Sequence, residues 1–263
     1  MKPSILSSVL LILCLSGINP LLAQQQLLVP DRVFDGEQMH EGWAVLVLND
    51  RIVGAGPLPQ LIPEKNVATL KLEGCTLLPG MIEGHSHLLL HPYNETPWAD
   101  QVLKESDALR TARGTVHARK TLLAGFTTVR DLGSEGAGYS DVGLKQAIDE
   151  GLIPGPRMIV AGRAIVATGS YGPNGFDTDF SVMLGAEPAD GNDVIRVTRD
   201  QIGKGADLVK VYADYRWGAG GKPQPTFSIE ELSMIVETAK SSGRYVVAHA
   251  STAEAMRRAT LAG

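Results

Sequence analysis

Residues Leu77 to His91 read LLPGMIEGHSHLLLH, and this stretch organises the chain. An apolar run broken by Pro79-Gly80 leads into two histidines one residue apart, His85 and His87. On an extended strand, residues i and i+2 point to the same face. Two imidazoles side by side at a strand end form a metal-binding arrangement, because neutral imidazole is the commonest nitrogen ligand for zinc-like ions. The pair by itself is a generic clip, and the remaining chain has to supply further ligands.

Working outward, the segment after His91 alternates strand and helix. Asp107 to Leu123 has helical spacing, with Leu109, Ala112, Val116 and Leu123 near a 3.6-residue period. Phe126 to Arg130 (FTTVR) reads as a β-branched strand closing at Asp131, and Asp141 to Glu150 as a short helix. Arg157 to Val160 is a strand, Asp193 to Lys204 a helix, and Asp207 to Tyr212 (DLVKVY) a strand. Ser228 with Glu231 forms a capping box that opens a helix to Ser241. Tyr245 to His249 (YVVAH) is a strand, and Thr252 onward is helical. Two irregular, Gly-rich stretches, roughly 163 to 191 and 213 to 227, follow strands.

Short strands alternating with helices imply βαβ units and a parallel sheet. Long loops after strands and short returns before them match a (β/α) barrel, whose post-strand loops build the active-site face. The expected class is therefore α/β: an incomplete (β/α)8 TIM-like barrel of about five of the eight strands, over residues 77 to 263. Residues 24 to 76 carry short-strand signals, including Ala44 to Leu48, Arg51 to Ala55 and Val67 to Leu72. They are expected to form a small β-sandwich-like domain.

The first 23 residues have the layout of a secretory signal peptide: Lys2, the apolar run Ile5 to Ile18, a break at Asn19-Pro20, and a cleavage point after Ala23. The run is too short for a membrane span, which needs about 20 apolar residues. Leu13 is too bulky to precede a lipidated Cys14. The protein is thus expected to be exported, periplasmic or secreted, with no membrane span. Loss of that segment leaves Cys75 as the one cysteine, so no intramolecular disulfide is expected. Cys75 lies in an apolar run and is expected to be a buried small hydrophobe. The net charge of -5 and scattered basic residues argue against a nucleic-acid partner.

The strand ends collect the chemistry. His85 and His87 end the first barrel strand and His249 the fifth. In the fourth, Lys210 shares a face with Leu208 and Tyr212. A lysine inside a covered parallel strand is costly unless paired, neutral or chemically altered. Either Lys210 pairs with an acid or snorkels to the rim, or its neutral amine takes up carbon dioxide as a carbamate able to bridge two divalent ions. Among the other candidates, His91 is expected to be structural or at the rim, His117 outside the barrel, His40 on a surface turn, and Asp131 an orienting group.

The segments LLPGMIEGHSH, GFTTVRDLG, GADLVKVYADYRW and VVAHAS, in this order, resemble the metal-dependent amidohydrolase superfamily. Within it the likeness is to the imidazolonepropionase-related and Xaa-Pro dipeptidase (prolidase)-like group, from about Asp31 to Gly263. The resemblance implies two divalent ions, with zinc the expected metal. His85 and His87 would hold the more buried ion, Lys210 as its carbamate would bridge, and His249 would hold the second. It also implies a sixth-strand histidine and an eighth-strand aspartate. The sequence ends before both, so the chain is expected to be a fragment, inactive alone.

The activity implied is hydrolysis of an amide C–N bond in a small-molecule or dipeptide-like substrate, such as an X-Pro dipeptide. Tyr212 is a candidate for holding the oxyanion or a substrate carboxylate, and Arg216 for a substrate carboxylate. Two other readings stay open: a mononuclear cyclic-amide hydrolase, and a non-catalytic metal- or peptide-binding remnant. Assembly into a homo-oligomer is also left open.

Overall fold

The computed structural model describes residues 25 to 63, 65 to 218 and 220 to 263. The signal-peptide segment lies outside them. The chain divides between Pro79 and Gly80 into two compact units.

The first unit holds β1 (Gln25–Phe34), β2 (Met39–Glu41), β3 (Trp43–Leu48), β4 (Arg51–Pro57) and β5 (Ala68–Leu77). Strand β1 is the spine. It pairs antiparallel with β3 through its first half, antiparallel with β2 through its last three residues, and parallel with β5. Strand β4 continues the sheet beyond β3. The expected sandwich is thus corrected to one mixed five-stranded sheet among the described residues. Leu27, Ala44 and Leu46 are buried on one of its faces, against Val29, Leu61 and Val67. Cys75 is exposed, not buried. It sits on β5, whose one partner among the described residues is β1, and follows Gly74, whose φ of 74° interrupts the extended geometry. An apolar neighbourhood in sequence does not bury an edge-strand side chain. His40 belongs to β2, where its ring stacks at 3.7 Å on Trp43 and its Nε2 pairs with Asp35 at 2.7 Å.

The second unit is built from β6 (Met81–Ser86), α1 (Trp98–Lys104), α2 (Asp107–Leu123), β7 (Phe126–Asp131), α3 (Ser140–Asp149), β8 (Arg157–Val160), β9 (Ile165–Val166), β10 (Glu187–Pro188), α4 (Asp193–Gly203), β11 (Val209–Tyr212), β12 (Asp214–Arg216), β13 (Pro223–Pro225), α5 (Ile229–Ser241), β14 (Val246–His249) and α6 (Ala253–Ala262). All five expected barrel strands are present. The first begins at Met81, because Pro79 and Gly80 separate it from β5. Three helices start on the side chains their sequences offer: Ser106 caps α2, Ser228 and Glu231 form the reciprocal box on α5, and Thr252 caps α6.

Strands β6, β7 and β8 pair in parallel, as do β9, β11 and β14. Asp207 joins the two sets. Its N–H donates to the Val160 carbonyl at 2.8 Å, its carboxylate accepts from the Val160 N–H at 3.0 Å, and Lys145 holds that carboxylate at 2.6 Å. Among the described residues the strands do not close on themselves, since β6 pairs only with β7 and β14 only with β11. Burial follows that position. Every residue of central β11 is buried, while Met81 and Ile82 on β6 are exposed. The main core packs Val209 and Val211 of β11 against Val194, Val197, Leu232 and Ile235 of α4 and α5, which leaves Lys210 and Tyr212 on the opposite face.

Gly80 is needed for close approach rather than for its φ. A Cβ there would lie 2.0 Å from Thr127 Oγ1, 2.4 Å from its Cγ2 and 2.7 Å from its Cβ, so no rotation of Thr127 relieves the overlap. Gly80→Ala is expected to destabilise the protein by about 1–3 kcal/mol. An unchanged thermal melting curve would show that the β6–β7 start tolerates a methyl group.

Candidate functional site

Strands β6, β11 and β14, from the two parallel sets, carry the four expected ligand residues at or near their C-terminal ends. His85 lies in β6 and His87 one residue beyond it, yet their Nε2 atoms are 3.3 Å apart. The reason is the loop after β7. Leu132 N–H donates to the Ser86 carbonyl, and Asp131 accepts from Leu88 N–H at 2.7 Å, clamping His87 from both sides. His87 Nδ1 is 2.9 Å from the Gly133 carbonyl, which accepts its proton. In the neutral ring that leaves Nε2 with a free lone pair aimed at His85. Asp131 is fully buried, and burial followed by the nearby Asp141 pushes its carboxyl well above the usual range. It therefore acts here as a fastener behind the histidines.

Lys210 is 1% exposed. Among the described residues no carboxylate pairs with its amine, and its one aromatic contact is the Tyr212 ring at 5.3 Å. Burial lowers its pKa to about 8; Arg130 adds to the fall and Glu135 opposes it. His85 is also shifted down, first by desolvation of its ring and then by Lys210, His87 and His249. His249 is shifted down by burial and Lys210, against the pull of Asp214 and Glu135. The mutual influence puts Lys210, His85 and His249 in one electrostatic neighbourhood. Parallel register sets Tyr212 beside His249, and their rings stack at 4.9 Å. His249 Nε2 is 3.5 Å from Asp214, a buried carboxylate that also accepts from Ser251 and Thr252 N–H.

These groups open into a cavity of about 360 Å³ lined by His85, His87, His249, Glu135 and five aromatic residues. Glu135 had no signal in the sequence beyond a position four residues after a strand end. It is 4% exposed and has φ of 50°, in the left-handed region. Its carboxylate accepts from Trp98 Nε1 at 2.9 Å, from the Tyr171 hydroxyl, and from the Tyr212 hydroxyl at 3.0 Å. Buried Arg110 fixes this loop through three backbone carbonyls, those of Leu89, Ser134 and Glu135, at 3.1, 3.0 and 2.7 Å.

A model of the amidohydrolase family matches residues 76 to 263. The chain belongs to the amidohydrolase family. This amidohydrolase chain is 33% identical over 250 residues to an ochratoxinase of Aspergillus niger, with 85% of this chain and 48% of that protein covered. Among solved structures it resembles a prolidase complexed with N-methylphosphonate-L-proline (30% identity, TM-score 0.77, 91% of this chain and 59% of that one). A Xaa-Pro dipeptidase with bound methionine is similar at 27% identity and TM-score 0.78, covering 91% and 60%. The chain thus spans about half the length of the curated relative it matches and about 60% of these structures.

Amidohydrolases generally use divalent metal ions, and the residues here fit one. Two nitrogens each about 2.0–2.1 Å from a tetrahedral ion stand about 3.3 Å apart, which is the separation found between His85 and His87. The Gly133 carbonyl supplies the outer hydrogen bond that metal-binding imidazoles use. Among the described residues no group of three His, Cys, Asp or Glu side chains is close enough to hold an ion, so the His85–His87 pair is the part of the arrangement that fits one directly.

The other expected residues sort clearly. Tyr212 lines the cavity, but its hydroxyl proton goes to Glu135, so holding an oxyanion requires that bond to break. Arg216 is exposed on the β12–β13 hairpin and lines a second hollow of about 320 Å³ with Asp214, Tyr215 and His249. His91 is buried and pairs with Glu105 at 2.9 Å, and His117 Nδ1 donates to the Leu88 carbonyl. Both are structural.

Proposed function

We propose that this chain supplies His85, His87, Lys210 and His249 to a two-ion centre, with zinc the expected metal, in a hydrolase that cleaves amide bonds of dipeptide-like substrates. The observation that carries this is Lys210: fully buried, without an acid partner among the described residues, its amine pushed toward the neutral form, and electrostatically coupled to His85 and His249. A neutral amine adds carbon dioxide, forming a new N–C bond and releasing one proton. The resulting carbamate has two oxygens, the donor set that a bridge between hard divalent ions needs. Held by these residues, divalent ions would supply an activated water and polarise the amide carbonyl.

The chain's own residues do the positioning. His87 is oriented by Gly133 and His249 by Asp214, while the aromatic wall excludes water from one side of the cavity. Arg216, in the second hollow that shares Tyr215 and His249 with this cavity, suits a substrate carboxylate. Similarity to a prolidase and a Xaa-Pro dipeptidase supports a dipeptide-like substrate. Export is proposed on residues 1 to 23 alone. No helix among the described residues is long and apolar enough to cross a membrane. A single-ion cyclic-amide hydrolase would leave Lys210 without a role.

Metal analysis of the dialysed protein tests the centre. His85→Ala is expected to lower bound metal by at least one ion per chain, because one imidazole of the 3.3 Å pair is gone. The same stoichiometry in variant and parent would remove His85 from the ligand set.

A further inference from the structure

The sequence sets Leu109, Ala112, Val116 and Leu123 on one stripe of α2, the spacing of a helix's buried face. The structure turns that stripe outward. Leu109 is 44% exposed, Val116 51% and Leu123 68%, and Ala112 is exposed with them. The face that α2 buries is instead Arg110, Gly114 and Ala118. Arg110 and Gly114 account for the inversion. The guanidinium is fixed on the carbonyls of Leu89, Ser134 and Glu135. Gly114, one turn on, lets Leu89 and Leu144 close on the helix, where a Cβ would stand 3.0 and 3.3 Å from their side chains. Both residues hold the same side of α2 inward, so the apolar stripe has to face out.

We propose that this outward face of α2 docks on an anionic phospholipid bilayer, its apolar stripe among the headgroups and its basic flanks on their phosphates. Leu109, Val116 and Leu123 repeat every seven residues, which keeps them in a nearly straight line along the helix. Arg113 and Lys120 run along one side of that line and Arg119 along the other. Arg119 and Lys120 are exposed, and among the described residues neither has a carboxylate within ion-pair distance. Arg113 leans toward Glu105 at 3.8 Å. The one acid of α2, Asp107, precedes Arg110 by three residues and so lies on Arg110's side of the helix. The exposed face is therefore basic although the chain carries a net charge of -5.

That charge selects the occupant. Two α2 helices paired along the stripe would bring Arg113, Arg119 and Lys120 against one another in either direction, and juxtaposed like charges are costly. A peptide helix docks into a groove, whereas the outer side of α2 is a convex ridge. A basic amphipathic helix face is the form that lies on anionic lipid, which draws lysine and arginine to its surface. The stripe is short, so attraction of the flanks has to supply much of the binding, and salt should weaken it. This surface stands apart from the hydrolase reading.

Co-sedimentation of the full chain with vesicles tests this, comparing phosphatidylcholine alone with phosphatidylcholine mixed with phosphatidylglycerol. Binding is expected to be about tenfold or more tighter on the anionic vesicles, and to fall by a similar factor from low to high salt. Arg119→Glu combined with Lys120→Glu is expected to remove the preference for anionic lipid. Val116→Ser combined with Leu123→Ser leaves the charge unchanged and is expected to weaken binding several-fold. All four side chains are exposed, so circular dichroism and thermal melting of both variants should match the parent. Equal binding to the two vesicle types overturns the proposal. So does anionic binding that both variants retain, which would place it elsewhere in the chain, residues 1 to 23 included. Self-association of the parent that the serine variant loses, with no lipid binding by either, would make the stripe an interface between copies. Equal affinity for soluble poly-L-glutamate, indifferent to the serine substitutions, would leave only a charge site for an acidic protein. Either result also overturns the lipid assignment.

Discussion

Lys210→Met is expected to give a protein that is more stable without metal and holds at most one ion per chain. The amine of Lys210 is buried and its pKa falls to about 8, against 10.5 for the free side chain. Between those values the unfolded chain binds more protons than the folded one, so stability rises with pH across the window. Below about pH 8 the full penalty applies, and above about 10.5 it is gone. The gap corresponds to roughly 3 kcal/mol. Methionine, similar in length and uncharged, escapes the penalty, so the metal-free variant should be the more stable by up to that amount at pH 7. The advantage should close as pH approaches 10.5. Paired denaturant titrations at pH 7 and 10 check the sign. In Lys210→Ala, short carboxylates such as acetate are expected to restore part of the lost metal, by standing where the carbamate would. Retention of two ions in either variant would rule out the bridge.

Arg110→Met should be the most damaging single change away from the ligands. The guanidinium is 1% exposed and reaches carbonyls on two separate loops, at Leu89 and at Ser134 and Glu135. Hydrogen bonds to charged groups contribute about 1.5–3 kcal/mol each, and buried acceptors left bare are costly. A loss of about 3–5 kcal/mol is expected, lowering Tm by on the order of 10 °C for a chain of this size. The same loop carries the Gly133 carbonyl that orients His87, so affinity for metal should fall along with stability. Arg110→Lys should not rescue either quantity, because one ammonium cannot span three carbonyls with a fixed fork. A Tm within a degree or two of the parent would show that the loop holds itself.

Much of the second unit was legible from periodicity. The five parallel strands and the helices α2 to α6 lie within a few residues of their expected places, because apolar spacing and explicit caps at Ser106, Ser228 and Thr252 act locally. Helix α1 and the short strands β9, β10, β12 and β13 were hidden in Gly- and Pro-rich stretches, where long-range contacts set the backbone. The first unit misled on burial and layering. Its strand signals are genuine, but whether strands form one sheet or two, and whether Cys75 faces solvent, depends on which edges pair.

The sequence by itself determined the residue types at the strand ends and their spacing, and with them the family. His85, His87, Lys210 and His249 are readable because strand alternation is a local rule, and a lysine in a buried strand is conspicuous in any context. Tertiary structure alone decided that Lys210 has no acid partner among the described residues, that Gly133 orients His87, and that Glu135 stands among tyrosines drawn from three separate segments. Those are contacts between residues 30 to 80 positions apart, made by loops whose course follows from the packing of the strands they connect.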